Sequence, residues 1–276
     1  MLLARPRYEV LPTPATEELV VAHLDRDVTL TVTSSPRRGL EATLQLAERL
    51  ARLGYPTVPH LAARQVVDAS HLAEIVSRLR AVGIDDVFVP AGDADAPAGE
   101  FQTAYEMLRA LDELGQPFSQ RGVTAYPESH PSISDDVTVQ SMWEKRHYAT
   151  YLVSNMCFNP SVLRRWIRRV RARGVELPLY LGLAGPVEQA KLVRVATRIG
   201  VADSARFASG HLRSVLRLGA PGAYSPTRLL EQLDATLTNP ASRVAGLHLF
   251  TFNQVAETEA WRRNLLARRA TALADD

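Results

Sequence analysis

The chain has 276 residues and a formal net charge of +2, and 46% of its residues are hydrophobic. This length suits one large domain, and the balanced charge argues against a dedicated nucleic-acid binder. A single cysteine, Cys157, excludes an internal disulfide and a multi-cysteine metal cluster. No apolar run reaches the roughly 18 residues that a membrane span needs, and the amino terminus lacks the apolar core of a signal peptide. We therefore expect a cytoplasmic protein that does not enter a membrane.

Short runs rich in β-branched residues alternate with longer runs that carry apolar residues at helical spacing. In chain order the predicted elements are strand 7–10, helix 15–24, strand 28–33, helix 39–53, strand 57–61, helix 69–82, strand 86–89, helix 101–114, strand 122–126, helix 135–147, strand 150–155, helix 161–173, strand 178–183, helix 187–199, helices 203–218 and 226–237, strand 245–251 and helix 256–272. Ser70 is the expected cap of the third helix.

The alternation of eight strands with helices predicts parallel βαβ units. Eight units suit closure into a ring, so the predicted fold is a single-domain (β/α)8 barrel that spans residues 1–276. An open, doubly wound sheet is the alternative fold.

Barrel enzymes carry their chemistry at the carboxyl ends of the strands. The candidate residues at or just beyond these ends are Glu9, Thr33, His60, Gly92, Asp93, Tyr126, Glu128, His130, Asn155, Gly182, Phe250 and Asn253. As a set they could donate a proton and bind a flat polar heterocycle.

The segment after the fifth strand is the most informative of these ends. Tyr126, Glu128 and His130 alternate with Pro127, Ser129 and Pro131. Each proline fixes its own φ and pushes the preceding residue toward an extended conformation. The segment therefore predicts three polar side chains that are held rigidly where a ligand could reach them. Because Glu128 and His130 lack a third ligand at a recognisable spacing, we predict no metal site.

Glu9 lies between Tyr8 and Val10 at the end of the first strand. An apolar site disfavours the charged form of a carboxyl group, so Glu9 could act as a general acid. A structural glutamate that pairs with an arginine is the alternative.

Asp93 follows Gly92, where a ligand could approach the backbone closely, although a solvated turn aspartate would look the same. His60 is more typical of a structural hydrogen-bonding histidine than of a catalyst. Cys157 has no obvious neighbouring base, which favours a packed thiol over a nucleophile.

Five segments in the same order resemble the methylenetetrahydrofolate reductase family: residues 8–12, 59–61, 92–93, 125–131 and 247–253. The most specific is Ala-Tyr-Pro-Glu-Ser-His-Pro at 125–131, which is close to the family's Ala-Tyr-Pro-Glu-x-His-Pro. The resemblance implies a (β/α)8 barrel that reduces 5,10-methylenetetrahydrofolate to 5-methyltetrahydrofolate.

The resemblance also implies roles for individual residues. Glu9 is similar to the family's general acid, and Asp93 to the residue that contacts the pterin and the reducing cofactor. Asn155 stands where the family usually has a glutamine that binds the pterin. The implied substrate-binding residues are Asn155, Gly182, Phe250 and Asn253, and the implied cofactor-binding residues are Thr33, His60, Gly92, Tyr126, Glu128, His130 and Lys145.

Three departures affect segments that help to hold FAD in the family. Ala91 replaces an arginine, Ser34 and Ser35 replace a Tyr-Gly pair, and Lys145 is what remains of a basic Leu-Lys-x-Lys element. A neutral side chain cannot replace the forked phosphate contact of an arginine. The chain therefore resembles the small flavin-independent bacterial branch, in which NADH is expected to bind in place of FAD.

Two other functions stay open at this stage. One is an FAD-dependent reductase of the same family. The other is a folate-binding methyl-group transferase, or a folate binder without catalysis. The expected partner in each case is a small folate, with no nucleic acid and no obligate protein partner.

Overall fold

The computed structural model describes residues 2–128, 135–188, 191–192 and 223–274. Within this part of the chain, eight parallel strands form one sheet: β1 (Arg7–Val10), β2 (Thr29–Val32), β3 (Thr57–Pro59), β4 (Asp86–Phe88), β5 (Gln120–Ala125), β6 (Tyr151–Ser154), β7 (Leu179–Ala184) and β10 (Val244–Phe250). A separate antiparallel pair joins β8 (Val187–Glu188) to β9 (Ala223–Tyr224).

The large sheet closes on itself. Its strands run in the order β3-β2-β1-β10-β7-β6-β5-β4, and a parallel bridge between His60 and Phe88 joins the two end strands. Beside this bridge, the backbone nitrogens of Leu61 and Ala63 donate to the carbonyls of Phe88 and Pro90 at 2.8 and 3.0 Å. These bonds remove the free edges that an open sheet would have. The predicted (β/α)8 barrel is confirmed, and the open-sheet alternative is wrong.

Helices connect the strands and cover the outside of the barrel. In the described ranges they include α1 (Thr16–His23), α2 (Gly39–Arg52), α3 (Ala69–Ala81), α4 (Ala104–Glu113), α5 (Asp135–Lys145), α6 (Pro160–Ala172), α7 (Thr227–Thr238) and α8 (Val255–Ala274). A reciprocal capping box between Thr103 and Glu106 begins α4, and Asn159 followed by Pro160 begins α6. None of the helices in the described ranges is long and apolar enough to cross a membrane.

Two sequence predictions need correction. The cap of α3 is Asp68, not Ser70, because the Asp68 carboxylate already accepts the His71 backbone N–H at 2.8 Å. Residues 187–188, which the pattern placed in a helix, form strand β8, because Val187 pairs with the distant Tyr224. The predicted helix 203–218 lies outside the described residues.

Alternation along the strands separates an apolar outside from a polar inside. Tyr8, Val10, Leu247 and Leu249 are fully buried in the main apolar cluster, which also contains residues of the covering helices. Each fully buried leucine of this kind contributes about 2 kcal/mol through burial. Because successive side chains on a strand point to opposite faces, the residues between these positions, among them Glu9 and His248, face the barrel interior.

Candidate active site

Glu9 lies at the carboxyl end of β1, and its backbone is held from the neighbouring strand end. The Thr251 hydroxyl donates to the Glu9 carbonyl at 2.6 Å, and the Thr251 N–H donates to the same oxygen at 3.3 Å. The Glu9 side chain remains 18% exposed, so the carboxyl group is reachable from the mouth of the barrel. The structure therefore places Glu9 where the sequence predicted it.

Two buried histidines flank the Glu9 carboxyl group. His248 Nε2 lies 3.0 Å from Glu9 Oε2, and His60 Nε2 lies 3.9 Å from the same oxygen. Each imidazole is packed against a phenylalanine, His248 at 4.8 Å from Phe250 and His60 at 4.7 Å from Phe88 between ring centroids. The two rings leave Glu9 little freedom to move.

His60 is uncharged at neutral pH. The pKa of His60 is lowered to about 4, mainly by burial; the charge of Glu9 opposes this effect, and neighbouring His248 adds to it. His60 therefore places no positive charge beside the Glu9 carboxyl group at neutral pH.

Sequence reasoning did not select His248. It lies inside the segment 247–253 that resembled the family, between two leucines of a strand with alternating burial. A histidine at an inward-facing position of such a strand was the signal available.

Several buried polar atoms on or just beyond the strands of the barrel have no hydrogen-bond partner among the described residues. They are Thr31 Oγ1, Thr33 Oγ1, His60 Nε2, His248 Nδ1 and, beyond β5, Glu128 Oε1. Buried polar groups without partners are rare in proteins, and such a group calls for a specific explanation, for example a bound molecule. These atoms could supply hydrogen bonds to a polar ligand at the mouth.

Tyr126, just beyond the end of β5, lies near the carboxylate of Asp93 on the loop after β4. Burial raises the pKa of Tyr126, and the charge of Asp93 raises it further, while a hydrogen bond with Thr124 lowers it. Tyr126 and Asp93 therefore lie within electrostatic range of each other, with Asp93 on the exposed loop after β4.

Gly92 has φ +94, and a side chain there would lie 3.0 Å from the Ala62 Cβ. Ser129 and His130 lie outside the described residues.

Cys157 is buried, which confirms the packed thiol. Burial raises its pKa, and the nearby charge of Glu128 raises it further. The thiol therefore stays protonated and is a poor nucleophile.

An apolar wall covers the side of the mouth beyond β6 and β7. It consists of buried Met156, Phe158, Ala184, Val187, Leu192 and Tyr224, with Phe250 and Phe252 packed against them. Flat aromatic ligands are bound by apolar walls of this kind that carry a few polar groups. Phe250, a predicted substrate-binding residue, forms part of this wall.

Three other predicted site residues make close contacts within the protein. Asn155 Oδ1 accepts the Met156 N–H at 2.8 Å. Gly182 allows β6 and β7 to approach closely, because a Cβ there would lie 2.0 Å from the Ser154 carbonyl oxygen. Asn253 bonds through both its amide oxygen and its amide nitrogen to the loop after β1. This geometry gives Gly182 and Asn253 structural roles.

Lys145 is not brought to the mouth. It is the last residue of α5, and its carbonyl accepts from Tyr148 and Ala149 just before β6 begins. A helix that follows a barrel strand runs back toward the amino-terminal ends of the strands. Lys145 therefore lies toward the opposite end of the barrel from Glu9, and the predicted cofactor contact needs correction.

A cavity of about 380 Å³ lies at that opposite end. Arg7 lines it, stacked between the rings of Tyr151 and Tyr180 and paired with Asp86 at 2.9 Å. Because the charge of Arg7 is paired with Asp86, and barrel chemistry lies at the other face, we assign the cavity no role in the site. In the part of the chain that the structure describes, no three His, Cys, Asp or Glu residues could hold a metal ion.

The fold and this site define a class: a (β/α)8 barrel with an inward-facing carboxyl group at the carboxyl end of its first strand, as barrel enzymes have. The sequence matches the methylenetetrahydrofolate reductase family over residues 21–261, most of its length, and the chain belongs to that family. Membership indicates an oxidoreductase of the methylenetetrahydrofolate reductase type. Glu9 precedes the matched range, so its role depends on the geometry described above.

Solved structures show more distant similarity. A candidate phosphonomutase from Burkholderia cenocepacia J2315 is 15% identical, with coverage of 79% of this chain and 97% of the other and a TM-score of 0.44. Phosphoribosyl anthranilate isomerase from Thermococcus kodakaraensis is 12% identical, with coverage of 95% and 97% and a TM-score of 0.47. At these values neither similarity supports an argument about this chain.

Proposed function

We propose that this protein reduces 5,10-methylenetetrahydrofolate to 5-methyltetrahydrofolate, with NADH as the hydride donor and without a bound flavin. The observation that carries the proposal is the Glu9 carboxyl group, held by His248 at 3.0 Å at the barrel mouth of a member of this family.

Glu9 is the proposed proton donor. In its protonated form it gives a proton to N10 of the folate, the bond from N10 to the methylene carbon breaks, and a cationic iminium forms at N5. The methylene carbon then accepts a hydride, which completes the methyl group. The overall change consumes one proton and one hydride for each methyl group made.

In this proposal the folate contacts two parts of the barrel mouth, one apolar and one charged. The apolar wall that includes Phe250 suits the flat pterin, and Asn155 can offer its amide nitrogen to it. Asp93, close enough to influence Tyr126, supplies a negative charge that favours the cationic iminium.

NADH supplies the hydride when it is bound. The buried polar atoms of Thr33, His60 and Glu128 that lack partners could bond its polar groups. The Arg64 guanidinium donates to the Asp95 carbonyl at 2.9 Å, which places a cation beside the loop after β4, where it could contact a phosphate of the cofactor. Ala91 itself offers no contact of the forked kind that the family's arginine gives to FAD.

The first test separates the NADH-dependent activity from the flavin-dependent one. An absorbance spectrum of the purified protein should show no flavin band, and anaerobic oxidation of NADH should require methylenetetrahydrofolate but not added FAD. A yellow protein, or turnover that depends on FAD, would favour the flavin-dependent reductase. A colourless protein that binds folate but never oxidises NADH would favour the transferase or the simple binder.

The second test addresses Glu9. Glu9→Gln keeps the shape of the side chain but removes its transferable proton, so kcat should fall by about 10²- to 10⁴-fold. NADH binding, measured by fluorescence, should stay nearly unchanged. Glu18→Gln, an exposed glutamate on α1, is the matched control and should leave kcat unaltered. Wild-type turnover in Glu9→Gln would disprove the acid role.

A further inference from the structure

The hydrogen-bond partners of the two ring nitrogens of His248 indicate where its proton lies. His248 is buried on β10, and its Nε2 lies 3.0 Å from Glu9 Oε2. Among the described residues, its other ring nitrogen, Nδ1, has no hydrogen-bond partner. A neutral imidazole carries one N–H, so the partners of the two nitrogens decide which nitrogen holds the proton.

The arrangement favours the proton on Nε2. A proton on Nδ1 would be a buried donor without an acceptor, which is rarer and costlier than an unfilled lone pair. An imidazolium would add the same orphan donor and a buried charge. With the proton on Nε2, His248 donates to Glu9 Oε2, which the carboxylate form of Glu9 accepts best.

The position of His248 also orients the carboxyl group. Within the described residues, Glu9 Oε1 makes no hydrogen bond, while Oε2 is held by His248. The oxygen that can reach a ligand is therefore Oε1. The phenyl ring of Phe250, 4.8 Å from the His248 ring, keeps the imidazole in place.

We propose that His248 is a positioning residue for Glu9: its Nε2–H anchors Oε2, presents Oε1 at the mouth, and stabilises the carboxylate that remains after proton donation. The inference rests on the proposed function for its kinetic consequences, but the proton location on His248 does not.

The other titratable and charged groups near this pair do not change the expected position of the proton on His248. His60 on β3 is neutral at assay pH, because burial lowers its pKa to about 4. Below the pair, Arg7 on β1 is paired with Asp86 on β4. The tyrosines Tyr151 on β6 and Tyr180 on β7 stack on that arginine.

The kinetic test compares two substitutions. His248→Leu removes the donor, so kcat should fall about 10- to 100-fold, as for loss of a charge-assisted hydrogen bond. KM for NADH should change little. His248→Gln, whose amide can replace the Nε2–H donor, should restore most of kcat.

Controls separate this outcome from a loss of folding. His23→Gln alters an exposed histidine on α1 and should leave kcat unchanged. Circular dichroism and urea unfolding report whether each variant is folded. A folded His248→Leu variant with wild-type kcat would overturn the proposal, as would a His248→Gln variant no better than His248→Leu.

A spectroscopic test does not depend on turnover. In protein labelled with ¹⁵N-histidine, the resonances lost in a folded His248 variant identify His248. At pH 7.5 they should show the neutral tautomer with the proton on Nε2. A proton on Nδ1, or an imidazolium, would disprove the inference. If the wild type shows no NADH oxidation while the tautomer is as expected, the proposed function fails and the contact between His248 and Glu9 stands.

Discussion

Asn253 ties the end of β10 to the loop that follows Glu9, and its replacement tests how firmly that loop is held. Its Oδ1 accepts the Leu11 N–H at 2.8 Å, and its Nδ2 lies 3.2 Å from the Leu11 carbonyl oxygen. Nδ2 also lies 3.2 Å from Thr13 Oγ1 and 2.9 Å from Thr16 Oγ1. The backbone has φ 61, a left-handed conformation that asparagine tolerates better than most residues.

The expected cost follows from these contacts. An amide nitrogen carries two hydrogens, so the four contacts amount to about three hydrogen bonds of roughly 1 kcal/mol each. The two bonds to exposed Leu11 contribute less than this, so the lost hydrogen bonds together should lower the free energy of unfolding by about 2 kcal/mol. Alanine in a left-handed conformation adds about 1 kcal/mol of strain. Asn253→Ala should therefore lower the free energy of unfolding by about 3 kcal/mol.

Asn253→Gly separates the two contributions. Glycine loses the same hydrogen bonds but adopts φ 61 without strain, so it should be about 1 kcal/mol more stable than alanine at this position. Urea unfolding followed by circular dichroism measures each change. Asn264→Ala on the exposed face of α8 is the control and should stay within about 0.5 kcal/mol of the wild type. The reasoning fails if Asn253→Ala costs less than 1 kcal/mol, or if glycine and alanine are equally stable.

Two further predictions concern packing and pH. Gly182→Ala should destabilise the barrel by about 3 kcal/mol or more in thermal or urea unfolding, because its Cβ would lie 2.0 Å from a backbone oxygen. Gly246→Ala, whose Cβ would lie 2.8 Å from the Tyr180 ring, should lower the free energy of unfolding by less. Equal losses of stability in the two variants would contradict this argument. The pKa of His60 is lowered from 6.5 to about 4 in the folded protein. Between these pH values, His60 is protonated in the unfolded chain but not in the folded protein. Folded stability should fall as the pH drops from 6.5 toward 4, by up to about 1.4 kcal/mol per pH unit from this group. His60→Gln should show a shallower decline in urea unfolding across that window, and an unchanged slope would refute the assignment.

Much of the architecture could be read from local patterns. The β-branched run 28–33 and the helix stops at Gly54 and Gly174 follow from backbone preferences that act within a few residues. The same local information placed Glu9 at a strand end. It was less reliable where a distant partner decided the outcome, as for Val187, which pairs with Tyr224 instead of starting a helix.

The sequence by itself determined the strand and helix periodicity, the resulting barrel, the family motifs and the presence of a carboxyl group at the end of the first strand. The tertiary structure alone decided that His248, 239 residues away in the chain, bonds to that carboxyl group. It also directed Asn253 to the loop after β1 and Lys145 away from the mouth. The reason is physical: periodicity reports which face of an element is buried, whereas ring closure and strand register determine which distant side chains meet on that face.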